Sequence, residues 1–451
     1  MRNHLLCVGA LCLLSLAGLT VSHCVLSAEA RDVTWQETTL LGDVSAAEGL
    51  TARVRMQHDY RLFWDTAFSL DGQAETDFRP SVRSDYPHEF FQDDSIHLSL
   101  QLHHGYEAMS GAINYDDLSP LQLAVAQRVE AQIAPKATLQ TSFPLEEFLD
   151  HYPTNFHLGY SGNRGASFLR DLNDAFRFPL QKGEFLLVNA TATAGKALRK
   201  LDINTTLDRR ISEHCAYTSS ENLRYFVPEI RMEDGTLLDY SDTPSGYGIY
   251  TLPKDNEDLT MQDLHFFTPL AEDCSVMDLA VTTDRQSLLL AAGGPQPRLL
   301  RFDPESGEQL QALPLPTAEQ TFLFCDEGQV LAVQYSGSFQ LFTQEADGSY
   351  AFQLSGHAPR VDDWVFPLGT VCATAWNGQQ LALLATDWRE TETAYEYPLM
   401  LLICDASGTF YAGELNSSLD RGRYSADTGE GTSWFKYCNY QEPDPCDLTW
   451  N

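Results

Sequence analysis

Two cysteines near the end of the chain have the spacing of a local disulfide. Cys438 and Cys446 flank a short segment that contains two prolines, and such a turn-rich loop can bring two thiols together. In an oxidising compartment this arrangement predicts a Cys438–Cys446 disulfide. The alternative is two unpaired thiols, because seven of the ten cysteines follow the apolar N-terminal segment and an odd number forms no complete disulfide framework.

The histidines match no metal-binding pattern. His103 and His104 are adjacent and would point to opposite faces of a strand. His151 and His157 flank a proline-containing loop and do not follow a zinc pattern such as H-E-x-x-H. Paired aspartates offer the oxygen ligands that calcium takes, but no EF-hand or glycine–aspartate nonapeptide accompanies them. The pairs are Asp93 and Asp94, Asp116 and Asp117, and Asp362 and Asp363. We therefore predict no metal site.

The sequence also lacks local signatures of catalysis and of cofactor binding. It contains no G-x-S-x-G elbow, no Walker loop and no dinucleotide fingerprint. It therefore predicts no catalytic residue, no cofactor-binding residue and no cofactor.

The chain is strongly acidic, with 63 acidic and 29 basic residues and a net charge of −34. Such a surface repels phosphate backbones and anionic lipid headgroups, so we expect no nucleic-acid partner. An acidic surface also favours solubility, and the charge alone does not identify a binding face.

The N-terminus predicts export. Arg2 precedes an apolar run over residues 5–26, which fits a signal peptide or a signal anchor. Ala28 and Ala30 form an Ala-x-Ala cleavage site, whereas the length of the run approaches the ~20 residues that span a bilayer. Lipidation at Cys24 is a third option, although His23 fits a lipobox poorly. With Arg2 on the cytoplasmic side, the first two options place the residues after 30 in an extracytoplasmic space, either tethered by the N-terminal helix or freely secreted.

A repeat defines the second half of the chain. An acidic or amide side chain stands four positions before an apolar strand start in three copies: Asp284 before Leu288, Asp326 before Val330, and Asn377 before Leu381. A second apolar run and a glycine turn follow in each copy, at Gly307, Gly348 and Gly408. The anchors are 42 and 51 residues apart, a spacing typical of one four-stranded β-propeller blade.

The repeat predicts an all-β fold, an irregular β-propeller of six or seven blades over residues 31–437, with clear repeats over 274–420. Residues 1–30 form the apolar helix, and residues 438–451 form a C-terminal tail. Pairing of residues 34–41 beside residues 432–437 would close the ring. A helical insertion interrupts the strands at about 118–150: Ser119 and Pro120 cap one amphipathic helix that ends by Pro135, and a shorter helix covers residues 144–149.

Aromatic side chains offer one candidate ligand surface. They could form a rim for a carbohydrate or a protein ligand, or simply pack between strands. These side chains are Trp64, Trp364, Trp376, Trp388, Tyr247 and Tyr250.

The glycine turns resemble those of a known class of repeat. Residues 302–308, with Asp303 and Gly307, and residues 403–409, with Asp405 and Gly408, are similar to the hairpin of bacterial quinoprotein-like and YVTN-type propeller repeats. The resemblance covers about a third of the chain. Nothing in the motif binds a quinone cofactor, so no functional residue is carried over from it. Many propellers of this kind are binding or scaffold modules, and the resemblance implies such a role.

A second motif resembles the Asp-box of sialidase-type propellers. It comprises residues 425–429, with Asp427, and residues 432–434, but Glu430 and Gly431 interrupt it. An Asp-box is a structural hairpin, and glycoside hydrolysis needs a placed acid and a nucleophile.

The expected function is therefore that of an exported, membrane-tethered binding or scaffold module without hydrolytic activity. Its partner would be a protein or carbohydrate ligand, and it would contact the membrane through the N-terminal segment only. The alternatives are an extracytoplasmic glycoside hydrolase and a structural surface protein.

Overall fold

A computed structural model describes residues 33–58, 62–70, 74–80, 95–100, 104–106, 113–159, 166–206, 211–254, 258–387, 389–390, 395–396, 398–417 and 446–451, together with residues 15, 17 and 18. Apart from residues 15, 17 and 18, the predicted N-terminal helix lies outside the described residues, and so does the interrupted Asp-box at 425–434. Within the described part of the chain, no helix is both long enough and apolar enough to cross a membrane.

The chain divides into two compact units. The central unit is Gln92–Leu323, and the terminal unit combines Met1–Phe91 with Phe324–Asn451. The main sheets have four or five strands each, all paired antiparallel, and we number them sheet 1 to sheet 6 in chain order. The boundary between the units falls inside the first strand of sheet 5.

The central unit contains sheets 2, 3 and 4. In spatial order, sheet 2 comprises His104–Tyr106, Leu198–Thr205, Phe185–Ala192 and Thr138–Pro144; sheet 3 comprises Ile211–Ser219, Leu223–Met232, Gly248–Pro253 and His265–Pro269; sheet 4 comprises Val276–Val281, Leu288–Ala292, Arg298–Phe302 and Gln309–Pro314. Ile96–Leu100 pairs with Thr154–Leu158, and His151–Tyr152 pairs with Phe178–Pro179. The helices are α1, Pro120–Gln132, and α2, Ala166–Ala175, with 3-10 turns at Tyr115–Asp117 and Leu145–Glu147.

The terminal unit contains sheets 1, 5 and 6. Sheet 1 comprises Cys446–Trp450, Leu50–His58, Leu62–Ser69 and Ala74–Pro80; sheet 5 comprises Thr321–Asp326, Gln329–Gln334, Ser338–Gln344 and Tyr350–His357; sheet 6 comprises Trp35–Gly42, Gly408–Ser417, Leu399–Asp405, Leu381–Thr386 and Val371–Trp376. Two short hairpins join Arg360–Val361 to Trp364–Val365 and Arg389–Glu390 to Tyr395–Glu396. The 3-10 turns are Val44–Ala47 and Leu368–Thr370.

The chain is thus mostly β, and its repeated four-stranded antiparallel sheets are consistent with the blades of a β-propeller. The strand Leu288–Ala292 of sheet 4 and the strand Leu381–Thr386 of sheet 6 are buried along their whole length. A strand buried on both faces must be apolar at every position, which explains the continuous leucine and alanine runs that begin each repeat.

The predicted repeats form sheets 4, 5 and 6, but their anchors differ in role. Asp284 accepts from Gln286 N at 3.0 Å, and Asn377 accepts from Gln380 N at 2.8 Å, so both cap the turn before the second strand. Asp326 instead accepts from Thr374 N at 2.8 Å and links sheet 5 to sheet 6.

The helical insertion is partly as predicted. Helix α1 begins with a capping box in which Gln122 N donates to Ser119 Oγ at 3.2 Å and Ser119 N donates to Gln122 Oε1 at 2.9 Å. At residues 144–149 the predicted second helix is only the 3-10 turn Leu145–Glu147, and Thr138–Pro144 within the same insertion is a strand. Helix α2 was not predicted.

Both ends of the described chain join sheets. Trp35–Gly42 pairs with Gly408–Ser417, whereas its predicted neighbour at 432–437 lies outside the described residues. Cys446–Trp450, within the predicted tail, pairs with the beginning of Leu50–His58.

Candidate functional site

One strand of sheet 3 outruns its neighbour. Leu223–Met232 pairs along its whole length with Ile211–Ser219, but Gly248–Pro253 covers only its first four residues on the other side. Pro228 lies in the uncovered part, where its missing N–H leaves no donor unpaired. The remaining polar groups of this edge need other partners, because buried backbone groups are costly when unpaired.

The segment 233–247 folds back over this edge and supplies those partners. Met232 N donates to Thr236 O at 2.8 Å, and Leu238 N donates to Ile230 O at 3.0 Å. The Tyr240 hydroxyl accepts from Ile230 N at 3.0 Å and donates to Pro228 O at 2.8 Å. The buried Tyr240 hydroxyl therefore makes hydrogen bonds that a neighbouring strand would otherwise make at this edge.

Arg231 anchors the folded-back segment from below. Its Nη1 donates to Gly235 O and to Glu272 O, each at 2.9 Å, and its Nη2 donates to Cys274 O at 2.7 Å. Its Nε lies 3.1 Å from Glu229 Oε2, and both side chains are at least nine-tenths buried. The guanidinium thus holds the segment 233–247 against the 272–274 turn.

Glu229 and Tyr247 complete the buried cluster. Glu229 Oε2 accepts from the Tyr247 hydroxyl and, at 3.0 Å, from Val276 N, the first residue of sheet 4. Burial lowers the pKa of Arg231, but the charge of Glu229 and then Tyr247 more than offset this and raise it above its usual value. Burial, with the neighbouring Glu229 charge, raises the pKa of Tyr247. The cluster is therefore an ion pair with a neutral phenol.

An open cleft of about 1060 Å³ lies over this cluster, within the central unit. Four acidic residues line it, and all four are exposed: Asp234, Asp239, Glu272 and Asp273. Its hydroxyl-bearing lining residues include Thr236, Ser241 and Ser275. The one arginine of the lining, Arg231, already engages Glu229 and three carbonyl groups. The cleft therefore presents negative charge and hydroxyl groups.

This arrangement is suited to binding. The Thr236 backbone N–H, which donates to Asp234, lowers the pKa of that carboxyl. A general acid needs the opposite shift. The raised carboxyl pKa in the central unit, about 6 at Asp278 because of burial, belongs to a residue outside the cleft lining.

The acidic turns of the propeller-like hairpins have the predicted geometry. Asp303 Oδ1 accepts from Ser306 N at 2.7 Å, and Asp405 Oδ1 accepts from Ser407 N at 2.6 Å. Gly307 has a φ of 72°, the left-handed conformation that the turn requires. These aspartates cap turns, as the sequence indicated.

The residues considered as metal ligands remain apart. His157 is exposed on the strand Thr154–Leu158, and His151 lies on a different strand. His103, Asp93 and Asp94 lie outside the described residues. Among the residues that are described, no three histidine, cysteine or acidic side chains gather in a group that could hold a metal ion.

Most of the aromatic residues pack in cores and form no rim. Trp64 is 1% exposed, and Tyr247 and Tyr250 are buried. Trp364 and Trp376 pack against the apolar cluster of sheets 5 and 6. Trp388 lies outside the described residues.

The predicted disulfide cannot be followed to both ends. Cys438 lies outside the described residues, whereas Cys446 is buried at the start of the final strand. The Cys438–Cys446 pairing stays a prediction.

The sequence prediction missed the Arg231 cluster, although a signal was present. Glu229 and Arg231 stand two positions apart in an apolar strand, so they share one face of a buried sheet. Opposite charges in that pattern indicate a buried ion pair, because an unpaired buried charge is costly.

Comparisons with known proteins give no family. No family model matches the chain, and no curated protein matches it. Among solved structures, a candidate 6-phosphogluconolactonase from Bacteroides fragilis is 10% identical, with 78% of this chain and 77% of that chain covered and a TM-score of 0.25. Its counterpart from Bacteroides uniformis is 10% identical, with 81% of each chain covered and a TM-score of 0.26. The Cps50 (Swd1) β-propeller domain of Myceliophteria thermophila is 8% identical, with 52% of this chain and 84% of that chain covered and a TM-score of 0.25. At such TM-scores, no conclusion about this chain follows from these alignments.

Proposed function

We propose that this protein is an exported β-propeller of six or seven blades that acts by binding a partner protein, and that the cleft over Arg231 holds a positively charged segment of that partner. The six main sheets supply at least six candidate blades. The apolar run at residues 5–26 supports export, with the segment either retained as an anchor or cleaved near Ala30.

The observation that carries the proposal is the charge of the cleft. Four exposed carboxylates surround an opening of about 1060 Å³, and its one lining arginine is already paired. A lysine or arginine side chain would meet uncompensated negative charge there, and the net charge of −34 would steer such a partner towards the protein.

The cleft is also held in shape before any ligand arrives. The Tyr240 hydroxyl and the Arg231 guanidinium fix the segment 233–247 to the sheet edge. A preformed site loses less conformational entropy on binding, which favours a role in recognition.

Fluorescence anisotropy with labelled lysine- and arginine-containing peptides tests the proposal. The double variant Glu272→Gln with Asp273→Asn removes two cleft charges and should weaken binding about tenfold at low salt. The matched control is Glu305→Gln with Glu308→Gln, which removes two exposed charges from the hairpin of sheet 4. Equal losses in the two variants would show that the peptides bind the overall charge and not the cleft.

Separate experiments test the location of the protein and the alternative functions. The protein should come from the extracytoplasmic fraction of cells that express the full chain, and its intact mass shows whether the N-terminal segment is retained. Recovery from the cytoplasm alone would contradict export. Turnover of fluorogenic glycosides by the purified protein, lost in a carboxylate variant, would replace the binding role with hydrolysis.

A further inference from the structure

A second cysteine lies against Cys446 in the terminal unit. Cys446 begins the strand Cys446–Trp450 of sheet 1, and Cys372 is the second residue of the strand Val371–Trp376 of sheet 6. Cys372 Sγ donates to Leu384 O at 3.5 Å, and the Cys446 thiol lies close enough to influence the Cys372 thiol. Cys446 is 4% exposed, and Cys372 is partly buried. Two cysteines close together on neighbouring strands are the arrangement from which a disulfide can form.

The two strands are held in a fixed alignment. Four residues beyond Cys446, the Trp450 indole Nε1 donates to Ala375 O at 3.2 Å, three residues beyond Cys372. Contacts at both ends show that the strands run side by side in the same direction. Cys372 also packs against the apolar cluster that contains Cys446 and Leu448. The thiol contact is therefore built into the packing of sheets 1 and 6.

We propose that Cys372 and Cys446 form a disulfide that ties the final strand of sheet 1 to the first strand of sheet 6. The oxidant is a small-molecule or enzyme disulfide of the kind present in oxidising compartments. One cysteine thiolate attacks that disulfide and releases one thiolate. The other cysteine thiolate then attacks the mixed disulfide and releases the second. The two cysteines lose two electrons and two protons, and the oxidant is reduced to two thiols.

The local environment makes this oxidation slow. The neighbouring Cys446 thiol, burial and the charge of Asp326 hold the pKa of the Cys372 thiol well above its usual value. Because the thiolate is the reacting species, the buried pair waits for the end strand to open. Once formed, the disulfide closes a long loop, which restricts the unfolded chain.

The proposal competes directly with the pairing that the local spacing predicts. Cys446 can join only one partner, and Cys438 stands eight residues before it. The structure places Cys372 in contact with Cys446. Peptide mapping separates the two pairings.

The test is equilibration of the purified full chain with oxidised glutathione, followed by alkylation in denaturant and peptide mapping without reduction. We expect a linked pair of peptides that contain Cys372 and Cys446, with the loss of these two free thiols. The cross-link should disappear in Cys372→Ser and persist in Cys438→Ser. The peptide map of the wild-type protein decides the result by itself, so the test remains valid even if a variant fails to fold.

Two results would overturn the proposal. One is a Cys438–Cys446 link with Cys372 recovered as an alkylated thiol. The other is recovery of both Cys372 and Cys446 as alkylated thiols after oxidation is complete. A Cys215→Ala variant is the control, since Cys215 lies in the central unit and its loss should leave the cross-link unchanged.

Discussion

Two acids in neighbouring sheets, Glu229 buried and Asp278 half-buried, have the same structural role in different electrostatic surroundings. In sheet 3, Glu229 accepts from Val276 N of sheet 4, and in sheet 4, Asp278 accepts from Leu323 N at 2.7 Å, in the first strand of sheet 5. Each acid therefore binds a backbone N–H group that lies outside its own sheet. Glu229 has the Arg231 guanidinium beside it, whereas the described hydrogen bonds of Asp278 come from backbone N–H groups.

The difference shows what the arginine adds to sheet 3. Backbone N–H groups offset only part of the free-energy cost of burying a carboxylate. Burial accordingly raises the pKa of Asp278 to about 6. An acid paired with arginine can hold more of the surrounding chain, because the same guanidinium also binds three carbonyl groups of the cleft. Sheet 3 thus combines an attachment between sheets with the floor of the candidate site.

The largest effect should come from removing the cation of the pair. Arg231→Met leaves the Glu229 carboxylate buried without its partner, and we expect a loss of about 3–5 kcal/mol in the free energy of unfolding. Arg301→Met is the control, because that arginine donates to Ser287 Oγ at 2.7 Å in sheet 4 and should cost much less. Urea denaturation of both variants checks the difference. Equal losses would mean that the cluster is no more important than an ordinary strand contact.

A smaller effect, visible only as a pH dependence of stability, should come from Asp278. The pKa of Asp278 is raised from 3.8 to about 6 by burial, so its stabilising contribution is present below pH 3.8 and is lost as pH rises through about 6. Relative to Asp278→Asn, the wild-type protein should therefore lose up to about 3 kcal/mol of unfolding free energy between pH 4 and pH 7.

A second aspartate gives the opposite sign. The Ser306 backbone and side chain, which donate to Asp303, lower the pKa of that exposed carboxyl. The stabilisation by the Asp303 carboxylate is present above its usual pKa and is lost as pH falls. The difference in unfolding free energy between the wild type and Asp303→Asn should therefore become smaller in acid. Denaturation curves from pH 7 to below pH 3.8, the usual pKa of an aspartate, test both variants. If the difference in unfolding free energy between the wild type and Asp278→Asn does not change with pH, the pKa of the Asp278 carboxyl is not raised.

A further effect should come from the tyrosine hydroxyl at the sheet edge. Tyr240→Phe removes the hydroxyl that serves Ile230 N and Pro228 O, and we expect a cost of about 2 kcal/mol because a buried donor is left unpaired. Tyr335→Phe is the matched control, since Tyr335 is 82% exposed. Thermal unfolding of the two variants should separate them. Identical melting temperatures would mean that another group satisfies the edge.

The sequence predicted sheets 4 to 6 and helix α1 because their signals are local. A turn such as that at Asp303 and Gly307 carries its own hydrogen bonds, and the Ser119 capping box does the same for the helix. The turn at Asp234 is also local, and Arg231 and Leu237 pair across it.

The cleft could not be predicted in the same way. Its floor joins Arg231 to the carbonyl oxygens of Glu272 and Cys274, about forty residues away, and such partners depend on how sheets pack. The partner of Cys446 is hidden for the same reason, since Cys372 reaches it through the alignment of two sheets and not through spacing.

Sheet 1 sets an order for biosynthesis. Its strand Leu50–His58 is translated well before its partner Cys446–Trp450, and Asn451 Nδ2 donates to Thr51 Oγ1 across 400 residues of sequence. Until translation has passed residue 450, the backbone N–H and C=O groups of this edge face solvent or a chaperone, and an open edge invites pairing with other chains. During synthesis this edge of sheet 1 therefore stays open until its distant partner strand is available.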